Sequence, residues 1–94
     1  METKVCAHAI ITGRVQGVFF RMETKRAAEQ REVNGWVKNR MDGTVEALFE
    51  GDKEKVESVL RWCEEEGPPL SDVKKVSLSW EDYSGRFNGF KIVY

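Results

Sequence analysis

The chain has 94 residues, enough for one hydrophobic core and too few for a catalytic domain joined to a separate binding domain. Fifteen basic against sixteen acidic residues leave a formal net charge of -1, so no global field exists for gripping nucleic acid or an anionic membrane, and anion binding must be local. The N-terminal stretch METKVCAHAIIT lacks the pattern of an export signal, and no apolar run approaches the ~20 residues needed to cross a bilayer, so a soluble cytoplasmic protein is expected.

Residues 4–12 alternate as a strand, with Val5, Ala7, Ala9 and Ile11 on the face expected toward the core and Cys6, His8, Ile10 and Thr12 on the other. Next comes GRVQGVFFR, Gly13 to Arg21, where two glycines allow backbone N–H groups to converge just before a predicted helix adds its positive end. Such a stretch builds an anion cradle. Arg21 falls in the first helical turn, where the macrodipole disfavours a cation by about 0.3–1 kcal/mol, and a bound anion would account for it. Residues 21–32 are rich in helix formers and carry the Lys25–Glu29 spacing of a surface helix.

GWVKN, the turn at Met41, Asp42 and Gly43, and TVEALFEG read as a hairpin, with strands near 34–40 and 43–50. Asp52 suits the N-cap of a second helix over 53–66, in which Val56, Val59, Leu60 and Cys63 recur at helical spacing before Gly67 and Pro68-Pro69. Glu64, Glu65 and Glu66 read as the solvated end of that helix. One or two strands close the chain, with Val76, Leu78 and Trp80 on one face and FKIVY at the end. The order βαββαβ predicts a single α+β domain over 1–94, a ferredoxin-like split βαβ sandwich with two helices on one face of an antiparallel sheet.

Cys6 and Cys63 fit neither a metal-ligand spacing nor a disulfide framework, and a single histidine, His8, leaves too few soft ligands, so no metal and no cofactor are expected. His8 reads as an ordinary strand residue, Arg14 as a solvated loop charge, and Trp36, Trp62 and Trp80 as packing residues. The loop ends in Phe-Phe-Arg, where a Walker loop requires Lys followed by Ser or Thr, and no cysteine heads it as in cysteine-dependent phosphatases.

With these elements placed, the sequence resembles the acylphosphatase family: GRVQGVxFR stands at Gly13 to Arg21, GWVxN at Gly35 to Asn39, GTV at Gly43 to Val45, and a closing FxIxY at Phe90, Ile92 and Tyr94. The resemblance implies hydrolysis of an acyl phosphate to a carboxylate and inorganic phosphate. Backbone N–H groups of Val15, Gln16, Gly17, Val18, Phe19 and Phe20 would hold the phosphoryl oxygens, Arg21 would pair with two of them, and Asn39 would orient the attacking water. A small-molecule acyl phosphate is then the partner, phosphate or sulfate an inhibitory anion, and the protein a monomer. The competing reading is a non-catalytic phosphate- or RNA-binding module of the same fold, against which stand the near-neutral charge and the missing aromatic and basic strand signature.

Overall fold

The computed structural model describes residues 3–94. β1 spans Lys4–Arg14, α1 Phe20–Gln30, β2 Asn34–Asn39, β3 Val45–Asp52, α2 Lys53–Arg61, β4 Asp72–Glu81 and β5 Phe90–Ile92. The sheet order is β4-β1-β3-β2-β5. β1 pairs antiparallel with β3 and β4, and β2 pairs antiparallel with β3, as the sequence predicts. The fifth strand departs from the expected antiparallel sheet, because β5 lies parallel to β2 and makes the sheet mixed. The reason is a crossing: after β4 the chain reverses and passes over the sheet to its opposite edge, where it arrives running in the direction of β2.

One sheet face carries the core. Ala7, Ala9 and Ile11 of β1, Val37 of β2, and Val45, Ala47 and Phe49 of β3 are buried against Phe20, Ala27 and Ala28 of α1 and Val56, Val59 and Leu60 of α2. Phe90 of β5 stacks on Phe49 with ring centroids 5.5 Å apart, which fixes the last strand to the core. α2 ends its regular turns at Arg61 and widens into a π turn over Trp62–Glu66, so the expected helical span is kept with a changed last turn. Its end is closed by Gly67, whose N–H donates to the Trp62 carbonyl at 2.8 Å.

Two local expectations shift. Asp52 occupies the N-cap position of α2 but makes no side-chain cap; its carboxylate is engaged by Lys4 and lies 3.6 Å from Lys55 Nζ. An ammonium within reach competes successfully with a helix N–H for the same oxygens. Val76, Leu78 and Trp80 do share the face of Ile11, Ala9 and Ala7, yet Leu78 and Trp80 remain exposed because the helices sit over the central strands and β4 is an edge.

The opposite face carries polar partners. His8 Nε2 lies 2.7 Å from a Glu46 carboxylate oxygen, and its ring meets Trp36 edge-on at 6.3 Å. Glu50 is buried and accepts three hydrogen bonds from the crossing segment, from Ser84 N–H at 2.8 Å, Ser84 Oγ at 2.9 Å and Gly85 N–H at 3.2 Å. Cys6 and Cys63 are free and buried; burial is the main cause that pushes the first thiol up to about 11 and the second up to about 12, so neither is a ready nucleophile.

Candidate active site

The loop between β1 and α1 starts at a β-bulge. The pairing of β1 with β4 shifts between Thr12 and Gly13, and Gly13 adopts φ +130° with its α-carbon so close to β4 that a Cβ would lie 2.2 Å from the Asp72 carbonyl oxygen. Only glycine fits there, and the bulge turns the chain off the sheet. Val15, Val18 and Phe20 then anchor the loop by burying their side chains. Between them Gly17 takes φ +75°, and Phe19, the residue at the helix cap, takes φ +63°. A non-glycine residue in that region costs on the order of 1 kcal/mol. Phe19 does not recover this by burial, since its side chain is 69 % exposed.

Among the described residues, none of the N–H groups of Val15 to Phe20 donates to a carbonyl of a turn or loop. The first N–H groups of α1 have no intrahelical acceptor either, so a set of donors is concentrated at the positive end of the helix.

Gln16 contributes more than the backbone donor expected of it. Its side-chain Nε2 donates to the Arg40 carbonyl at 2.8 Å and to the Thr44 carbonyl at 2.9 Å, tying the loop to the β2–β3 hairpin turn. Asp42 shapes that turn by accepting from Thr44 N–H at 3.0 Å and Thr44 Oγ1 at 2.6 Å. The tie matters because Asn39, the last residue of β2, precedes the turn directly. Asn39 Oδ1 is buried without a hydrogen-bond partner among the described residues.

Arg21 is the second residue of α1 and half-buried. Its guanidinium lies 5.2 Å from the centroid of the Tyr94 ring, a cation–π contact that restrains the side chain. Among the described residues no carboxylate pairs with it.

Arg21 and Asn39 meet in one cleft of about 310 Å3, lined also by Val15, Gly17, Phe19, Phe20, Met22, Ile92 and Tyr94. Gln16 and Val18 stand outside this lining, one bridging to the hairpin and the other facing the core. The roles of Gln16's side chain and of Ile92 and Tyr94 as cleft walls were not assigned from sequence; the closing FxIxY pattern was the available signal for the latter pair. Chemically, the cleft brings together loop residues whose N–H groups are left without a turn or loop carbonyl and, among the described residues, a guanidinium without a carboxylate and an amide oxygen lacking a donor, an arrangement suited to an anion that reacts with water.

Comparison with known proteins agrees with this geometry. The family model described as Acylphosphatase matches residues 7–92. An acylphosphatase of Pelotomaculum thermopropionicum is 52% identical over 88 residues, covering 94% of this chain and 95% of its own. One of Thermococcus kodakarensis is 50% identical over 90 residues, covering 96% and 97%. The crystal structure of acylphosphatase from Bacillus subtilis superposes with a TM-score of 0.91 at 38% identity, covering 96% of this chain and 99% of that one.

Proposed function

This chain belongs to the acylphosphatase family and hydrolyses the carboxyl–phosphate bond of small acyl phosphates; on that premise we propose that Arg21 and Asn39 carry the reaction within the cradle of Val15 to Phe20. The phosphoryl oxygens accept from the loop N–H groups and from the Arg21 guanidinium, which neutralises charge as phosphorus becomes five-coordinate. Asn39 Oδ1 accepts a hydrogen bond from a water and holds it toward phosphorus. An amide is no base: the water oxygen bonds to phosphorus as the bond from phosphorus to the carboxylate oxygen breaks, the weakly basic carboxylate departs with the bonding pair without a strong general acid, and the water's protons pass to the phosphate oxygens and to solvent. The products are a carboxylate and inorganic phosphate.

The observation that carries this assignment is the orphaned amide oxygen of Asn39, buried in the same cleft as an unpaired guanidinium. A buried acceptor without a donor costs about 1–3 kcal/mol, a cost that a bound water or substrate removes. Every group named comes from one domain spanning the chain, so a single copy suffices for turnover, and the two buried thiols suit a reducing cytoplasm.

The test is hydrolysis of benzoyl phosphate by the wild type, Arg21→Ala and Asn39→Ala, with folding checked by circular dichroism. Folded Arg21→Ala should lose at least about 10²–10³-fold in kcat/KM with a raised KM, whereas Asn39→Ala should lose mainly kcat. Phosphate and sulfate should inhibit competitively, and EDTA should leave turnover unchanged. A folded Arg21→Ala variant with wild-type kinetics would remove the proposed role.

A further inference from the structure

We propose that the apolar rim of the cleft, formed by Phe19 and Met22 beside the Tyr94 ring, receives the acyl group of the substrate and makes acyl phosphates with an aromatic or branched apolar acyl group the preferred class. The inference rests on the acylphosphatase reading of this cleft and concerns the end of the substrate that the phosphate cradle does not touch. A cleft of about 310 Å3 lies in the range that holds whole small ligands, so it has room beyond the phosphoryl group. Phe19 caps α1, where its carbonyl accepts from Glu23 N–H at 3.0 Å, and Met22 follows three residues later on the same side of the first turn. Both line the cleft, and both are exposed, Phe19 by 69 % and Met22 by 58 %.

The fold gives Phe19 no return for its ring. Its backbone sits at φ +63°, where glycine or asparagine is at ease, and its side chain is left in water. Apolar surface placed beside reactive groups acquires a use when a ligand covers it. Of the nine residues that line the cleft, Arg21 and Asn39 supply the polar side chains apart from the Tyr94 hydroxyl. The reaction occupies both, one on the phosphoryl oxygens and the other on the water. In-line displacement sends the carboxylate out on the side of phosphorus away from that water, hence away from the end of β2 that holds it, which leaves the walls supplied by the start of α1 and by the chain from β5 onward. Those walls present Phe19, Met22 and Ile92 to the departing group. Among the described residues lining the cleft there is no second cation to pair with a carboxylate on the acyl group and no carboxylate to pair with an amino group on it, so a charged acyl group is the poorer fit.

The test uses benzylphosphonate and methylphosphonate, which carry the same anion on an aromatic and on a minimal group and are not hydrolysed, titrated calorimetrically into the protein. Benzylphosphonate should bind the wild type at least about tenfold more tightly. Phe19→Asn, which accepts the same backbone conformation, should narrow this gap by about fivefold, and Met22→Gln, which keeps a helix former of similar length, by about threefold. Phe19→Tyr, which keeps the ring, should keep the gap. The same pattern should appear in kcat/KM for benzoyl phosphate against acetyl phosphate, because the ratio cancels any disturbance of the cradle that both substrates share, and comparing variants cancels their intrinsic reactivities. A gap that ignores Phe19→Asn and Met22→Gln while both acyl phosphates are turned over overturns the inference alone. Turnover of neither acyl phosphate by the folded wild type overturns it together with the reading of the cleft on which it rests.

Discussion

The loop of residues 13–21 and the crossing segment of residues 82–89 are both irregular stretches packed against the sheet, and they treat buried polar groups in opposite ways. Under the crossing segment, the buried Glu50 carboxylate is met by three donors from Ser84 and Gly85. Beside the loop, among the described residues, the buried Asn39 oxygen is met by no donor and the Arg21 guanidinium stands without a carboxylate, while Phe19 is held in a left-handed conformation. The first region spends its polar groups on holding the chain in place. The second leaves them open and carries local strain, as expected where a ligand completes the bonding.

The comparison breaks first at Glu50. Replacing it with Ala should cost about 2–3 kcal/mol of stability, since three hydrogen bonds to a charged acceptor are lost together, with kcat at ambient temperature unaltered. Urea unfolding would measure it, and a cost below about 0.5 kcal/mol would mean that the crossing is held by other contacts. Asn39→Ala should behave in reverse: catalysis falls about 10²-fold while stability holds or rises by up to about 1 kcal/mol, because the orphaned oxygen is gone. A clear destabilisation there would place Asn39 with the structural polar groups.

Phe19→Asn offers a smaller effect. Asn tolerates positive φ better and little burial is lost, so the urea midpoint should rise by an amount equivalent to about 0.5 kcal/mol. An unchanged or lowered midpoint would show that the phenyl ring contributes contacts that outweigh its backbone strain.

The smallest effect is in pH. The hydrogen bond with His8 holds the Glu46 carboxyl below its ordinary value, with weaker attraction from His8, Lys38 and Arg40. A carboxyl depressed in the folded state contributes its stability fully above the ordinary carboxylate pKa of about 4.3, and that contribution drains away as pH falls through the lower folded value. Glu46→Gln should therefore flatten the acid side of a stability–pH curve and leave the neutral side unchanged in slope.

What sequence revealed and concealed follows from how far apart the partners lie along the chain. The loop and the hairpin were legible because glycine, Asp-Gly and alternating apolar residues act on their immediate neighbours. The face of β4 was legible for the same reason; whether helices cover that face was not, since coverage depends on the strand's place in the sheet. Asp52 looked like a cap because its local setting is right, and the ammonium that engages its carboxylate comes from Lys4, on another strand. Glu50 gave no sign at all: alternation in β3 would place a charge on an open face, and its donors arrive from a segment with no regular pattern. Arg21 and Asn39 reach the same cleft as the motif resemblance implies, while the bridging side chain of Gln16 could not be assigned until the hairpin was seen beside the loop.

The position of β5 has a consequence for a chain emerging from the ribosome. Loop, helix and hairpin are all synthesised before the residues that complete the cleft, because Ile92 and Tyr94 follow the passage from one sheet edge to the other. Until that passage is made, β2 has a bare flank and Arg21 lacks the ring against which it rests. The cleft is therefore whole only after β5 has docked beside β2.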